Sequence, residues 1–209
     1  KDDLVDASKV PCVYNSFGCE RYVHQHSLVE HSSRCTHAPC YCYECTLPFE
    51  GSSASLLHHL TASSVNHYWP TALNIKYETC YTFAMPEPLE DHHFLLVAEE
   101  DDSVFPLAVG TCKARAGRRP MSVVCIRGNS ADANMRPVYR CVLTVTAPPK
   151  YEGVHAASIT LSGTVPSCSV PDNVDMADAW YDFHPKMMHG DSKEVHLVIC
   201  ITKSTIHHW

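Results

Sequence analysis

The chain has 209 residues, 45% of them hydrophobic and 19% charged, a balance that fits a globular protein of one or two domains and excludes wholesale disorder. A formal charge of −7 offers nothing to phosphate backbones, so nonspecific nucleic-acid binding is not expected. The longest apolar runs, such as Phe94–Ala98, are about five residues, far short of the ~20 that a membrane helix needs.

The unusual counts are 12 cysteines and 15 histidines. Half of the cysteines lie between residues 12 and 45, and the rest are spread one to a strand-like segment. Clustered Cys and His read as metal ligands, whereas isolated Cys in apolar strands read as small core residues. With a polar Lys1-Asp-Asp-Leu start and no secretory leader visible, a reducing compartment is expected, cytoplasmic, nuclear or both.

In chain order, the first signal is Cys12-x6-Cys19-x11-His31-x3-Cys35. A closed structural zinc shell takes four such ligands in a tetrahedron. Gly18 allows a tight knuckle before Cys19, and a helical turn over Leu28–Arg34 places His31 and Cys35 on one face. A second cluster follows in Cys40-Tyr-Cys-Tyr-Glu-Cys45, a short amphipathic helix over Ser52–Leu60 that carries His58 and His59, and then His67. Two Cys and two His would close a second site, and spacing alone leaves Cys40 against Cys42, and His58 against His59, open. The seven residues between His59 and His67 exceed the usual three to five, so this finger is irregular.

From Thr71 the texture changes to strands. Phe94–Ala98 and Val104–Gly110 flank the acidic turn Glu99–Ser103 as a hairpin, with Glu99–Asp102 as a wet tip. Met121–Ile126 is a β-branched run between Pro120 and the Gly128-Asn129-Ser130 turn. Val138–Thr146 alternates with Tyr139, Cys141, Leu143 and Val145 on one face; Ala157–Val165 does so with Ile159, Leu161 and Val165, and Val195–Ile201 with Val195, Leu197, Ile199 and Ile201. Such alternation marks antiparallel strands with one face buried. A short helix is expected at Asp172–Trp180, and Arg115–Arg119 as a basic, solvated loop. Parallel βαβ units are not expected. The fold class is therefore α+β, mostly β, with a metal-binding part over residues 1–70 and an antiparallel β-sandwich over residues 71–209.

The segment Lys9-Val-Pro-Cys-Val-Tyr-Asn-Ser-Phe-Gly-Cys-Glu20 with His31-x3-Cys35 resembles the first finger of the seven-in-absentia (SINA/SIAH) family of ubiquitin ligases, closest to its plant SINA-like branch. Phe94-Leu-Leu-Val-Ala-Glu99 resembles the strand that opens the main hairpin of that family's sandwich. The resemblance implies tandem zinc fingers followed by a TRAF-like antiparallel β-sandwich, with two structural zinc ions. Its metal ligands carry over as Cys12, Cys19, His31 and Cys35 in the first finger and Cys40, Cys45, His59 and His67 in the second. It also implies that protein substrates or degron peptides add a strand along Thr71–Met85, where Leu73, Ile75, Tyr77 and Met85 either line side-chain pockets or pack in the core. A homodimer is implied as well. The family's catalytic part is an N-terminal RING that recruits the E2 enzyme, and none is seen in this sequence. The chain is thus expected to be inactive alone in ubiquitin transfer, with an E2 as partner only if a RING lies upstream.

The expected function is the substrate- and partner-recognition part of a ligase that directs targets to ubiquitin-dependent degradation. The alternative is a RING-less adaptor or competitor that heterodimerises with an active ligase. Two other classes are disfavoured. Nucleic-acid-binding fingers carry Arg and Lys at contact positions, whereas residues 10–70 hold two arginines, no lysine and four glutamates. A Cys/His hydrolase is disfavoured because Cys141 and Cys200 sit among apolar neighbours, and no phosphate loop, nucleophile elbow or zincin motif occurs.

Overall fold

The computed structural model describes residues 8–45, 47–62, 72–85, 92–110, 118–129, 137–149, 156–171 and 181–204. The chain is mostly β and divides into two compact units. One comprises Lys1–His67 together with Ile126–Arg136 and Ser167–Asn173, and the other comprises Tyr68–Cys125, Pro137–Pro166 and Val174–Trp209. Among the described residues no helix is long and apolar enough to cross a membrane.

The first unit is built of small pieces. Strands β1 (Lys9–Pro11) and β2 (Tyr22–His24) pair antiparallel, with helix α1 (Leu28–Arg34) following. Strands β3 (Cys40–Cys42) and β4 (Phe49–Gly51) form a second antiparallel pair, followed by helix α2 (Ser53–Thr61). Ser52 caps α2, its Oγ accepting from Ser55 N at 3.1 Å, a contact worth ~1 kcal/mol. Leu56 and Leu60, one turn apart on α2, are fully buried.

Among the described residues the second unit holds two sheets. One runs β5 (Ala72–Ile75), β7 (His92–Ala98), β8 (Val104–Val109), β9 (Arg119–Val123) and β14 (Tyr181–Phe183) in spatial order. The other runs β12 (Ser158–Thr164), β11 (Val138–Thr146), β15 (Val195–Ser204) and β6 (Cys80–Met85). Two-residue strands β10 (Cys125–Ile126) and β13 (Ser167–Cys168) are also described, β13 within the residues of the first unit. Both sheets contribute to one buried cluster: Leu96, Phe105, Leu107, Met121 and Val123 from the first, and Tyr139, Cys141, Leu143, Val145, Val195, Leu197, Ile199 and Ile201 from the second. Period-2 alternation is the cause, since every second residue of β11 and β15 faces that core, and each apolar side chain so buried contributes ~1.5–3 kcal/mol.

Several expectations need correcting. Strand β5 pairs with β7 in parallel, Ala72 opposite Leu95; the intervening β6 belongs to the other sheet, so the chain returns to β7 in the same direction as β5. Ile159 is 45% exposed, although its alternation resembles that of β11. It lies on β12, an edge strand that only β11 flanks among the described residues. Arg119, expected on a solvated loop, opens β9 fully buried and donates Nη1–H to the Met85 carbonyl at 2.9 Å. Residues 111–117 and the helix expected at Asp172–Trp180 lie outside the described residues. The acidic turn is exposed, as expected, but it is also tied down. Tyr77 N–H donates to Glu100, the Tyr77 hydroxyl donates to Asp101 Oδ1 at 2.8 Å, and Lys203 pairs with Asp101 Oδ2.

Candidate metal centres

Cys12, Cys19, His31 and Cys35 bring their four ligand atoms within 4.8 Å of one another, as the spacing required. The local chain explains how. Cys12 follows β1 and its N–H bonds to the Arg21 carbonyl across the hairpin. The backbone then turns tightly, with Tyr14 N–H donating to Cys12 Sγ at 3.4 Å and Gly18 N–H to the Asn15 carbonyl. Gly18 has φ +101°, a left-handed conformation that a Cβ would strain. His31 lies on α1 and Cys35 caps its C-terminal end, so one helical turn delivers both.

The distances suit an ion. Cys12 and Cys35 sulfurs are 3.9 Å apart, and Cys19 Sγ lies 3.5 Å from His31 Nε2. Tetrahedral coordination at ~2.3 Å to sulfur and ~2.0–2.1 Å to nitrogen places such pairs about 3.8 and about 3.5 Å apart. A disulfide would need ~2.05 Å, and all three cysteines are free. Burial, the largest influence, opposes ionisation of Cys19, but backbone and thiol hydrogen bonds and the Arg21 charge outweigh it and lower its pKa. Burial instead pushes the Cys35 thiol up to about 12. A bound cation would reverse that penalty, because a coordinating thiol loses its proton outright.

The sequence reading missed Asn129. Its Nδ2 donates to the carbonyls of Ser32 at 2.8 Å and Cys35 at 2.7 Å, holding the end of the helix that carries His31 and Cys35. Asn129 has φ 51°, and at the preceding Gly128 a Cβ would sit 2.0 Å from the Ala38 carbonyl oxygen. The Gly128-Asn129 pair was legible as a turn; its partners, some 90 residues earlier, were not.

The second cluster gathers Cys42, Cys45 and His59. Here the expectation of Cys40 is corrected. Cys40 and Cys42 share one face of β3 and both are fully buried, but register separates them. Cys40 lies opposite Gly51 and Cys42 opposite Phe49, and the Phe49 ring stacks on His59 with centroids 4.3 Å apart. Cys42 therefore stands at the end of the hairpin where Cys45 and His59 meet, with Cys45 Sγ 3.3 Å from His59 Nε2. Burial, aided by nearby Cys168, raises the Cys40 thiol to about 12. His59 rather than His58 joins the group, as carried over from the resemblance; His67 lies outside the described residues. Both clusters can hold a metal ion, and their thiolate and imidazole donors suit a borderline or soft divalent cation.

The four expected peptide-binding residues are placed mainly by the core. Ile75 and Met85 are buried in it, while Leu73 and Tyr77 are half-buried and packed against it. Leu73 and Ile75 lie on β5 and Met85 on β6, while Tyr77 lies in the turn between them; among the described residues β5 ends one sheet and β6 the other. Comparison with known proteins adds no relative, since no family model and no curated protein matches the chain.

Proposed function

We propose that the chain is the substrate- and partner-recognition part of a ubiquitin ligase of the seven-in-absentia kind, built on two structural zinc ions. The observation that carries this reading is the cluster of Cys12, Cys19, His31 and Cys35, whose spacing resembles that family's first finger and whose ligand atoms converge. Zinc in a closed Cys3His shell has no open position for chemistry, so its work is to hold the first unit folded. Cys42, Cys45 and His59 supply three ligands of the second finger, and His67 is the proposed fourth.

The two-sheet unit is read as the TRAF-like sandwich. Recognition then falls to its edges, where an extended segment of a target in the cytosol or nucleus adds as a further strand. Since Ile75 and Met85 face the core, main-chain hydrogen bonds along β5 or β6 would supply the affinity, and the half-buried Leu73 and Tyr77 the selectivity. A homodimer is part of the proposal.

The test is to join the chain to a RING that recruits an E2, express the fusion in cells, and quantify ubiquitin remnants on all proteins. A defined set of targets gains ubiquitin with the intact chain and loses it with Cys12→Ser. A pattern identical to that of the RING alone overturns the recognition reading. Purified chain without zinc, with disulfides among Cys12–Cys45 instead, overturns the zinc reading.

A further inference from the structure

Strands β15 and β6 pair antiparallel with Cys200 directly opposite Cys80. The inward residues of β15 are Val195, Leu197, Ile199 and Ile201, so Cys200 lies on the outer face, where Cys80 is exposed and Cys200 half-buried. Residues directly opposite in an antiparallel ladder project to the same side, their Cα atoms about 4.5 or about 5.5 Å apart according to ladder position. Either separation lies inside the ~4.4–6.8 Å range of a disulfide. Among the described residues neither belongs to a metal cluster, and neither contributes to the core. Cys125 and Cys141 in the same unit, by contrast, are buried.

We propose that Cys80 and Cys200 form a redox modification site, a thiol pair that a hydroperoxide converts to a cross-strand disulfide and a dithiol restores. Burial and the neighbouring Cys80 thiol push the Cys200 thiol up to about 11, which leaves the exposed Cys80 as the attacking sulfur. With hydrogen peroxide, Cys80 Sγ attacks one oxygen, the O–O bond breaks, and Cys80 becomes a sulfenic acid as the first water leaves. Cys200 Sγ then attacks that sulfur; the S–S bond forms, the S–O bond breaks, and the departing hydroxide takes the remaining thiol proton as the second water. Two electrons pass from the two sulfurs to the peroxide oxygens. The product staples β6, an edge strand among the described residues, to β15, so the redox state decides whether that edge can peel from its sheet.

The test treats the metal-replete chain at micromolar concentration with near-stoichiometric hydrogen peroxide, blocks remaining thiols, and maps peptides without reduction. A preorganised pair acts at an effective concentration of millimolar or more, so intramolecular linkage should exceed linkage between chains by about a thousandfold. The expected result is a Cys80–Cys200 cross-linked peptide within a single chain two hydrogens lighter, reversed by dithiothreitol and absent from C80S and C200S. In C200S, a sulfenic-acid trap should label Cys80. Cys80 recovered as a free thiol, as a sulfinic acid, or joined to another chain would overturn the proposal.

Discussion

Replacing Cys42 and Cys40 in turn separates ligand from core residue within one short strand. Cys42→Ser removes a thiolate from the group formed with Cys45 and His59. Structural zinc sites contribute ~10–16 kcal/mol of apparent folding free energy at neutral pH. The buried Leu56 and Leu60 of α2 together supply only ~3–6 kcal/mol. Apolar packing therefore cannot replace the ion, and β3, β4 and α2 should come apart when a ligand is lost. Cys40→Ala deletes one buried sulfur outside the group and should cost ~1 kcal/mol. Native mass spectrometry with zinc quantified per chain reads the difference: two ions in the parent and in Cys40→Ala, one in Cys42→Ser. Backbone hydrogen exchange over Cys40–Ala62 should accelerate only in Cys42→Ser. Loss of an ion from Cys40→Ala with both retained in Cys42→Ser would refute the assignment and the register argument beneath it.

Four further outcomes are expected. His67→Ala should lower the zinc count from two to one, and an unchanged count would remove His67 from the second site. On the proposed zinc reading, chelation should abolish exchange protection in α1 and α2 while β11 and β15, which rest on the shared core, keep theirs. Leu143→Ala, at a fully buried position on β11, should cost ~2–5 kcal/mol in a denaturant titration. Burial raises the Asp101 carboxyl, but hydrogen bonds from Lys203, Ser103 and Tyr77 override it and hold the pKa below the usual carboxylate value of 3.8. Its stabilisation is then fully present above that value and is lost as pH falls through the lower folded value. Asp101→Asn should accordingly cost about 1 kcal/mol near neutrality, discounted for solvent screening, and the gap to the parent should close in strong acid.

Legibility followed how local each cause was. The helix expected over Leu28–Arg34 is α1 to the residue, and the helix expected from Ser52 is α2 with Ser52 as its cap. Capping and i, i+4 spacing are properties of a few neighbouring residues. Arg119 shows the opposite case. Nothing beside it in sequence announces burial, because its partner is the carbonyl of Met85 on another strand.

Local pattern was enough for the first metal cluster, the β-rich second half and the inward faces of β11 and β15, because ligand spacing and period-2 alternation act over a few residues. Tertiary structure alone decided that β5 runs parallel to β7, that Cys42 rather than Cys40 meets His59, that Asn129 braces Cys35, and that Cys80 faces Cys200. Each of these depends on strand register or on partners brought together from distant parts of the chain, and no local pattern encodes which distant backbone a residue will lie against.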